Sequence, residues 1–247
     1  MFSRFQRATN EIKPRIIGLS IGEPGSRKTS FWLEAPGPIV VFSFDKGMEG
    51  VVERVLNENP DKEIYVSEYE WSPTADLDQK EAVDLRDKVE EDFQHACQSA
   101  RTVLIDKEQD LWELMRYAEF GAPNDAPRNY PALNQRYRHL INMPKSLDIN
   151  FGLVEGMKDE WVSKTNVKTG AKGAVASGNR IRAGFGELDG LVHQVLFHSG
   201  TGPSTWQVEV GKTRGPGGHE IAGQEFPNLT FPEYAALVFP GTEGMWE

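Results

Sequence analysis

The amino-acid sequence predicts an α/β domain in which helices cover both faces of a mainly parallel β-sheet. Two observations support this fold class. Short apolar runs rich in β-branched and aromatic residues alternate with stretches of helical periodicity, which is typical of parallel strands joined by helices. Near the C-terminus, the apolar runs "LVHQVLFHS" and "TWQVEVGKTR" adjoin across the turn "GTGPS", which predicts an antiparallel strand pair.

The first hundred residues alternate between predicted strands and helices. "RIIGLSI" (15–21) is a buried strand that stops at Gly22, and "PIVVFSFD" (38–45) is a second one. Between them, "TSFWLEA" is a short helix that a Pro-Gly pair ends. "GMEGVVERVLNE" is predicted to be a helix and "EIYVSEY" a more exposed strand. Residues 78–98 form an amphipathic helix because apolar residues recur at steps of three and four: Ala82, Leu85, Val89, Phe93 and Ala96.

The pattern continues through the rest of the chain. "RTVLID" (101–106) is a buried strand and "QDLWELMRYAEFG" a helix. After a loop rich in Pro and Asn, "ALNQRYRHLINMPKSL" is a helix with a break at Pro144. "INFGLVEG" (149–156) is a strand that leads into a basic segment. The tail "GQEFPNLTFPEYAALVFPGT" mixes Pro with aromatic residues and is expected to pack across the core.

Composition and charge exclude several classes of protein. No apolar run approaches the roughly 20 residues that span a bilayer, and the N-terminal residues lack the apolar block of a secretion signal. The single cysteine, Cys97, excludes an internal disulfide, so a reducing cytoplasm is expected. The formal charge of −10 is uneven. Residues 61–92 hold 12 acidic and 4 basic side chains (net −8), whereas residues 158–182 hold 6 basic and 2 acidic (net +4).

The stretch "GEPGSRKTS" is nearly a phosphate-binding loop, Gly-x-x-x-x-Gly-Lys-Ser/Thr. It follows a predicted strand and opens a predicted helix, so backbone N–H groups and the helix dipole would face the phosphates of ATP. Lys28 would pair with the outer phosphates and the Thr29 hydroxyl would ligate Mg²⁺. The nucleotide-binding candidates are Gly22, Glu23, Pro24, Gly25, Ser26, Arg27, Lys28, Thr29 and Ser30.

Arg27 stands where the second glycine of this motif is expected. The position before the lysine commonly takes a conformation that glycine adopts freely, so an L-residue there costs on the order of 1 kcal/mol. Its side chain would either crowd the phosphates or add a second cation. The alternative is a strand–turn–helix without a ligand. Arg27→Gly is therefore predicted to bind nucleotide more tightly.

"TVLID" strengthens the case for a nucleotide site. A short β-branched strand that ends in Asp106 has the pattern of the second nucleotide motif, whose carboxylate holds Mg²⁺ through water. The pattern is weak alone, because buried strands often end in Asp. Its place after the loop, with β–α elements between, makes Thr29 and Asp106 the candidate metal ligands.

In this order, "GEPGSRKTS", "VVFSFD", "TVLID" and "VEVGKTRGPGG" resemble the RecA-like ATPase core shared by recombinases and replicative hexameric helicases. "LWELMRYAEFG", "LVEGMKDEW" and "EIAGQEFPNLTFPE" are similar to bacteriophage ATPases of this class, which include single-strand annealing proteins. The resemblance covers residues 15–240 and implies one RecA-like P-loop domain. An arm (1–14) precedes it, a tail (241–247) follows it, and it carries a mobile basic loop (158–183).

The resemblance also implies catalytic residues. Asp45 ends the strand after the phosphate-loop helix, where RecA-like enzymes carry the carboxylate that polarises the attacking water. The family usually has Glu there, so Glu49 and Glu108 are fallback candidates, and Asp45 is alternatively a helix N-cap. Lys212 and Arg214 match paired cations that hexameric relatives present to a neighbouring subunit's nucleotide. The alternative is two solvated cations on an edge strand.

The basic segment lies where RecA-like proteins carry DNA-binding loops. Its cations would contact phosphates and Trp161 would stack on bases of single-stranded DNA, although a solvated loop without a ligand is the alternative. The candidate nucleic-acid-binding residues are Lys158, Trp161, Lys164, Lys168, Lys172, Arg180 and Arg182.

These features together predict an ATP·Mg²⁺-dependent, DNA-stimulated ATPase. It would act in DNA recombination or single-strand annealing in the cytoplasm of a phage-infected bacterium. Its expected partners are further copies of itself in a ring or filament, single-stranded DNA, and a single-strand-binding or other recombination protein, without a membrane. Two alternatives stay open: a non-hydrolysing, nucleotide-binding assembly protein, and an interaction protein that has lost nucleotide binding and uses its acidic segment 61–92.

Overall fold

The computed structural model describes residues 13–71, 78–122, 129–165, 172–202 and 205–246. The described residues form an eight-stranded mixed sheet and a separate two-stranded hairpin. The strands are β1 (Ile17–Gly22), β2 (Ile39–Ser43), β3 (Ile64–Glu68), β4 (Thr102–Asp106), β5 (Asn150–Glu155), β6 (Met157–Thr165), β7 (Lys172–Arg182), β8 (Gln194–Gly202), β9 (Thr205–Lys212) and β10 (Glu225–Pro227).

The large sheet has the order β10-β9-β8-β1-β5-β4-β2-β3. The six strands from β8 to β3 run parallel to one another, and β9 and β10 are antiparallel additions at one edge. This arrangement confirms the predicted α/β class, the mainly parallel sheet and the antiparallel C-terminal pair. It also fixes where loops meet, because the carboxyl ends of β1, β2, β4 and β5 lie along one edge.

Eight helices occur among the described residues, together with short 3₁₀ turns at Met143–Ser146 and Glu243–Met245. No helix in the part of the chain that the structure describes is long and apolar enough to cross a membrane. The helices are α1 (Lys28–Leu33), α2 (Val51–Glu58), α3 (Gln79–Ser99), α4 (Glu108–Phe120), α5 (Tyr130–Asn142), α6 (Leu188–Leu191), α7 (Gly218–Ile221) and α8 (Phe231–Val238).

Two hydrophobic cores lie on opposite faces of the sheet, as the sequence predicts. One joins α3, α4 and α5 to β1, β4 and β5, and the other joins α1, α2 and α8 to the opposite face. The first core stops short of β9 and β10, since none of its buried residues comes from those strands. In the part of the chain that the structure describes, this core therefore leaves one face of the sheet uncovered at β9 and β10.

Trp32 fixes α1 on the sheet. A Cβ atom at Gly152 would lie 2.4 Å from the Trp32 ring, and one at Gly18 would lie 3.2 Å from it, so the two glycines make room for the indole. The indole N–H donates to the Ser20 hydroxyl at 3.0 Å, and His198 contacts the same hydroxyl at 2.9 Å. The helix that follows the candidate phosphate loop is therefore anchored to the central strands.

Three elements differ in detail from the prediction. The basic segment is a β-hairpin of β6 and β7 where the sequence predicted a mobile loop, with residues 166–171 outside the described residues. The helix expected from Gly47 begins at Val51, since residues 47–50 form turns. The C-terminal tail contains β10 and α8, and α8 begins with a capping box in which Thr230 accepts from the Glu233 backbone and Glu233 accepts from Thr230.

Candidate functional site

The candidate phosphate loop lies at the carboxyl end of β1 and leads directly into α1. A Cβ atom at Gly22 would lie 2.2 Å from the His198 carbonyl oxygen and 2.7 Å from the Ser26 hydroxyl. Gly22 is therefore required by the close approach of β8, independently of any ligand. Gly25 has φ of 79° in the turn of the loop, a conformation that glycine adopts without strain.

Lys28 extends into the loop instead of into solvent. Its ammonium group donates to the carbonyl oxygens of Gly22 and Glu23, each at 2.8 Å, and to the Ser26 hydroxyl at 3.3 Å. Burial lowers the pKa of Lys28, whereas the nearby Asp106 and Glu23 carboxylates raise it. The loop therefore encloses a positive charge that polar backbone groups hold in place.

Thr29 and Asp106, the two candidate metal ligands, are in contact. The Thr29 hydroxyl donates to Asp106 Oδ1 at 3.0 Å. Asp106 ends β4, and β5 separates β4 from β1, so the hydrogen bond joins residues that are 77 positions apart in sequence. Burial raises the pKa of Asp106, and the hydrogen bond from Thr29 opposes this shift. The sequence predicted both residues as metal ligands, and the structure shows that their side chains form a hydrogen bond.

Arg27 has the backbone conformation that the sequence led us to expect. Its φ of 66° and ψ of 17° lie in the left-handed region, which costs an L-residue about 1 kcal/mol. The guanidinium carbon lies 3.8 Å from the centre of the Trp206 ring, a cation–π contact. Along β9, Trp206 faces the same side as buried Val208 and Val210, so Arg27 stacks on the α1 side of the sheet.

Asp45 follows β2 and forms an ion pair with Lys107, the residue after Asp106. It does not cap a helix, because Gly50 is the N-cap of α2, and the N-cap alternative is therefore wrong. Its Oδ1 instead accepts from the Gly47 backbone at 3.3 Å. The side chain is 32% exposed. Of the two fallback candidates for this role, Glu49 is exposed and Glu108 is fully buried. Glu108 is therefore not in a position to contact an attacking water.

Lys212 ends β9 and Arg214 follows it, so both lie near the opposite ends of the strands from the candidate phosphate loop. Lys212 pairs with Val195 near the start of β8, whereas His198, further along β8, pairs with Gly22. Lys212 donates to the carbonyl oxygens of Val192, at 2.8 Å, and Asp189. These cations therefore do not reach the candidate phosphate loop.

Lys212 and Arg214 belong to a larger positive cluster. Burial and then Arg214 and Lys212 lower the pKa of Lys145. Burial and four surrounding cations, which include Lys145, Arg214 and Arg15, lower the pKa of His193 to about 4. The sequence did not predict the contributions of Arg15, Lys145 and His193, because they come from three distant segments.

The basic hairpin exposes some of its predicted DNA-contact residues to solvent, whereas others bond to groups within the protein. Trp161 is 64% exposed. Lys158 donates to the Ala183 carbonyl oxygen at 3.0 Å. Arg180 lies 3.3 Å from Glu23 in the phosphate loop and 3.5 Å from Asp159, which connects the hairpin to the loop. Lys164 and Lys172 lie on facing strands near the hairpin end, and Lys168 lies outside the described residues.

The base of the hairpin contains a buried carboxylate pair, Glu108 and Glu155, that the sequence analysis missed. Tyr137 donates to Glu108, and the Gly184 backbone donates to Glu155. Arg182 is only 19% exposed and pairs with Asp189 at 2.9 Å, while its guanidinium lies 3.9 Å from Glu155. Burial and then the neighbouring Glu155 raise the pKa of Glu108 to about 8. No sequence motif marks this pair.

A cavity of about 520 Å³ adjoins the phosphate loop on the side of β8, β9 and β10. Its volume falls within the range of small-ligand sites. Lys28, Thr29 and Asp106 do not line it, so it extends the site without containing the cationic end. Loop residues Gly22 to Ser26 form one wall, and the remaining lining residues are Ile21, Met157, Phe197, His198, Ser199, Gly200, Gln207, Glu209 and Glu225.

No protein-family model matches this sequence, and a search of curated proteins gives no significant match. A function for the chain therefore has to come from the arrangement of its own residues.

Proposed function

We propose that this protein is a RecA-like P-loop protein that binds ATP with Mg²⁺. The observation that carries the proposal is the hydrogen bond of 3.0 Å between Thr29 and Asp106, formed beside a lysine that lies within the loop. A strand–turn–helix without a ligand has no need to bury a lysine and a carboxylate beside a half-buried hydroxyl, because burying polar groups is unfavourable. A nucleotide would use all three.

Each group fits one part of the ligand. Lys28 would exchange its bonds to loop carbonyls for bonds to the outer phosphates, and backbone N–H groups at the start of α1 would complete the cradle. The hydroxyl of Thr29 and the carboxylate of Asp106 are oxygen donors of the kind that hold Mg²⁺, directly or through water. When bound, Mg²⁺ would neutralise negative charge on the phosphates.

Arg27 is compatible with this role. Its side chain stacks on Trp206 on the α1 side of the sheet, so it does not line the cavity beside the loop. The left-handed backbone conformation that glycine would adopt freely is present with arginine in place. The departure from the usual loop pattern therefore does not count against nucleotide binding.

Hydrolysis would use Asp45 and an assembled neighbour. The charge of the nearby Asp45 contributes to the raised pKa of Asp106, and Lys107 holds the Asp45 carboxylate by an ion pair. Such a carboxylate would orient the attacking water. Lys212 and Arg214 lie near the opposite ends of the strands from the loop of their own chain. This position favours action on the nucleotide of a neighbouring subunit. Hydrolysis would then require a ring or filament.

The hairpin is the element that would meet single-stranded DNA. An exposed tryptophan among basic residues is a surface on which bases stack and phosphates bind. The ion pair between Arg180 and Glu23 would pass a change in the phosphate loop to the hairpin. Work in phage DNA recombination or single-strand annealing follows as the proposed cellular role.

A second candidate function is nucleotide-dependent assembly without hydrolysis. Asp45 is shorter than the glutamate usual in RecA-like enzymes and is already paired with Lys107, while Glu108 is buried against Tyr137. Phosphate release measured at rising protein concentration with single-stranded DNA distinguishes the two. Turnover that rises steeply supports the ATPase, and bound but intact ATP supports the assembly protein.

The binding test is titration calorimetry of ATP·Mg²⁺ into wild-type protein, Lys28→Ala and a matched control, Lys80→Ala, whose side chain is exposed on α3. We expect micromolar binding in the wild type and the control, and none in Lys28→Ala. Equal heats in all three proteins, or none in any, would contradict the proposal.

A further inference from the structure

The floor of the cavity is a row of side chains that runs straight across the sheet away from the phosphate loop. Ile21 on β1 pairs with Phe197 on β8, Phe197 pairs with Glu209 on β9, and Glu209 pairs with Glu225 on β10. Directly paired residues point to the same face, so the row presents an aromatic ring and then two carboxylates. Strands lie about 4.8 Å apart, which puts β9 and β10 roughly 10 and 14 Å from β1.

Among the described residues, the helices of this side stop short of β9 and β10. The core formed by α3, α4 and α5 covers β1 and β5, but it includes no buried residue of β9 or β10. Phe197 is consequently 40% exposed, although it lies in a strand that is buried on its other face. A Cβ atom at Gly211 would lie 2.5 Å from the Phe197 ring, so this glycine lets the ring lie against β9.

The charges of the lining residues determine which end of a nucleotide the cavity accepts. Glu23, Glu209 and Glu225 line it, and no lysine or arginine is among the described lining residues. Arg180 lies 3.3 Å from Glu23, so Glu209 and Glu225 supply most of the negative charge. Phosphates would be repelled there and would stay beside Lys28 at the loop. Carboxylates accept hydrogen bonds from hydroxyl and amino groups, and an aromatic ring offers a face for a base.

We propose that this cavity is the nucleoside subsite, in which Phe197 stacks on the base and the Glu209–Glu225 pair accepts hydrogen bonds from the ribose hydroxyls. The subsite therefore favours nucleotides that carry ribose hydroxyls. The inference rests on the proposed function, because the loop must hold the triphosphate for the sugar and base to lie along this row. It assigns a ligand to two like charges on facing strands, an arrangement that is otherwise unfavourable.

The test compares three ligands, each with Mg²⁺, by titration calorimetry: ATP, 2′,3′-dideoxy-ATP and inorganic tripolyphosphate. Wild-type protein should bind dideoxy-ATP roughly tenfold more weakly than ATP, because hydrogen bonds to charged groups are lost. Glu209→Ala/Glu225→Ala should bind the two nucleotides about equally. Phe197→Leu keeps the apolar contact with β9 and should weaken both nucleotides roughly tenfold. Neither variant should change the binding of tripolyphosphate by more than about twofold.

Two matched controls separate the subsite from general effects. Glu220→Ala removes an exposed carboxylate in α7, outside the cavity, and Tyr65→Leu removes a ring that is exposed at the opposite edge of the sheet. Both should behave as wild type with all three ligands.

The outcomes distinguish this inference from the function on which it rests. If tripolyphosphate and ATP bind but the cavity variants discriminate no differently from the controls, the subsite is overturned and nucleotide binding stands. Heat from Mg²⁺ alone that the double variant abolishes, without nucleoside discrimination, would identify a cation site and overturn the subsite as well. If neither ATP nor tripolyphosphate binds, the proposed function and the subsite both fall.

Discussion

Arg27 makes two opposing contributions to stability, and substitutions at this position separate them. Its left-handed backbone conformation (φ 66°) costs about 1 kcal/mol, which glycine would not incur. Its stack on Trp206 at 3.8 Å stabilises the folded state by about 0.5–1 kcal/mol. Arg27→Gly removes both effects, so the free energy of unfolding should change by less than about 1 kcal/mol. Arg27→Ala keeps the strained backbone and loses the stack, so it should be destabilised by about 0.5–1 kcal/mol.

The assay is urea denaturation of wild-type protein, Arg27→Gly, Arg27→Ala, Trp206→Leu and the Ala/Leu double variant. The double-mutant cycle isolates the stack and should return a coupling energy of about 0.5–1 kcal/mol. A coupling energy near zero would refute the stack, and an Arg27→Gly protein no more stable than Arg27→Ala would refute the strain. Because the guanidinium is engaged by Trp206, we also expect Arg27→Gly to change ATP affinity by less than about threefold. This expectation replaces the tighter binding that the sequence alone predicted.

Three further predictions concern other parts of the molecule. Gly22→Ala should lower the free energy of unfolding by about 1–3 kcal/mol in urea denaturation, because its Cβ would lie 2.2 Å from a carbonyl oxygen of β8. As a control, Gly186→Ala should change this free energy by less than about 1 kcal/mol, because a Cβ there meets nothing within 4 Å. Burial and Glu155 raise the pKa of Glu108 from 4.5 to about 8, so between these pH values the folded protein retains a proton that the unfolded chain releases. The free energy of unfolding should therefore fall as the pH rises from 4.5 to about 8. Glu108→Gln should flatten that decline between pH 6 and pH 8 in urea denaturation, and an unchanged slope would assign the decline to other groups. Trp161→Ala should weaken binding of fluorescent single-stranded DNA by roughly tenfold in anisotropy titrations with ATP·Mg²⁺, whereas Tyr65→Ala, exposed on β3, should match wild type.

The sequence was sufficient to predict the central strands and their helices, because those signals are local. β1, β4 and β5 are buried along their whole length and are short, mostly apolar segments. The 21-residue helix α3 has strict apolar periodicity and a capping box at Asp78. Thr29 and Asp106 could be proposed as neighbours because each ends or follows a parallel strand, and such ends share one edge of the sheet.

The remaining features depend on register and on long-range packing, which the sequence does not encode locally. The hairpin was predicted as a mobile loop from the family resemblance. Both of its faces are exposed, so β6 and β7 lack the alternation of apolar and polar residues that would have predicted strands. The cavity row requires the exact pairing of β8, β9 and β10. The Glu108–Glu155 pair joins residues 47 positions apart, and although Glu108 was a fallback catalytic candidate, nothing in the sequence places it beside Glu155.

The most direct test of the nucleotide site is the Mg²⁺ dependence of ATP binding in wild-type protein and in Asp106→Asn. Asparagine preserves the shape of the side chain and its contact with Thr29 but removes the negative charge that would support the metal. We expect wild-type protein to bind ATP at least roughly tenfold more tightly with Mg²⁺ than with EDTA, and Asp106→Asn to lose most of that difference. Equal affinity with and without Mg²⁺ in the wild type, or the same Mg²⁺ dependence in both proteins, would contradict the assignment of Thr29 and Asp106 as the metal ligands.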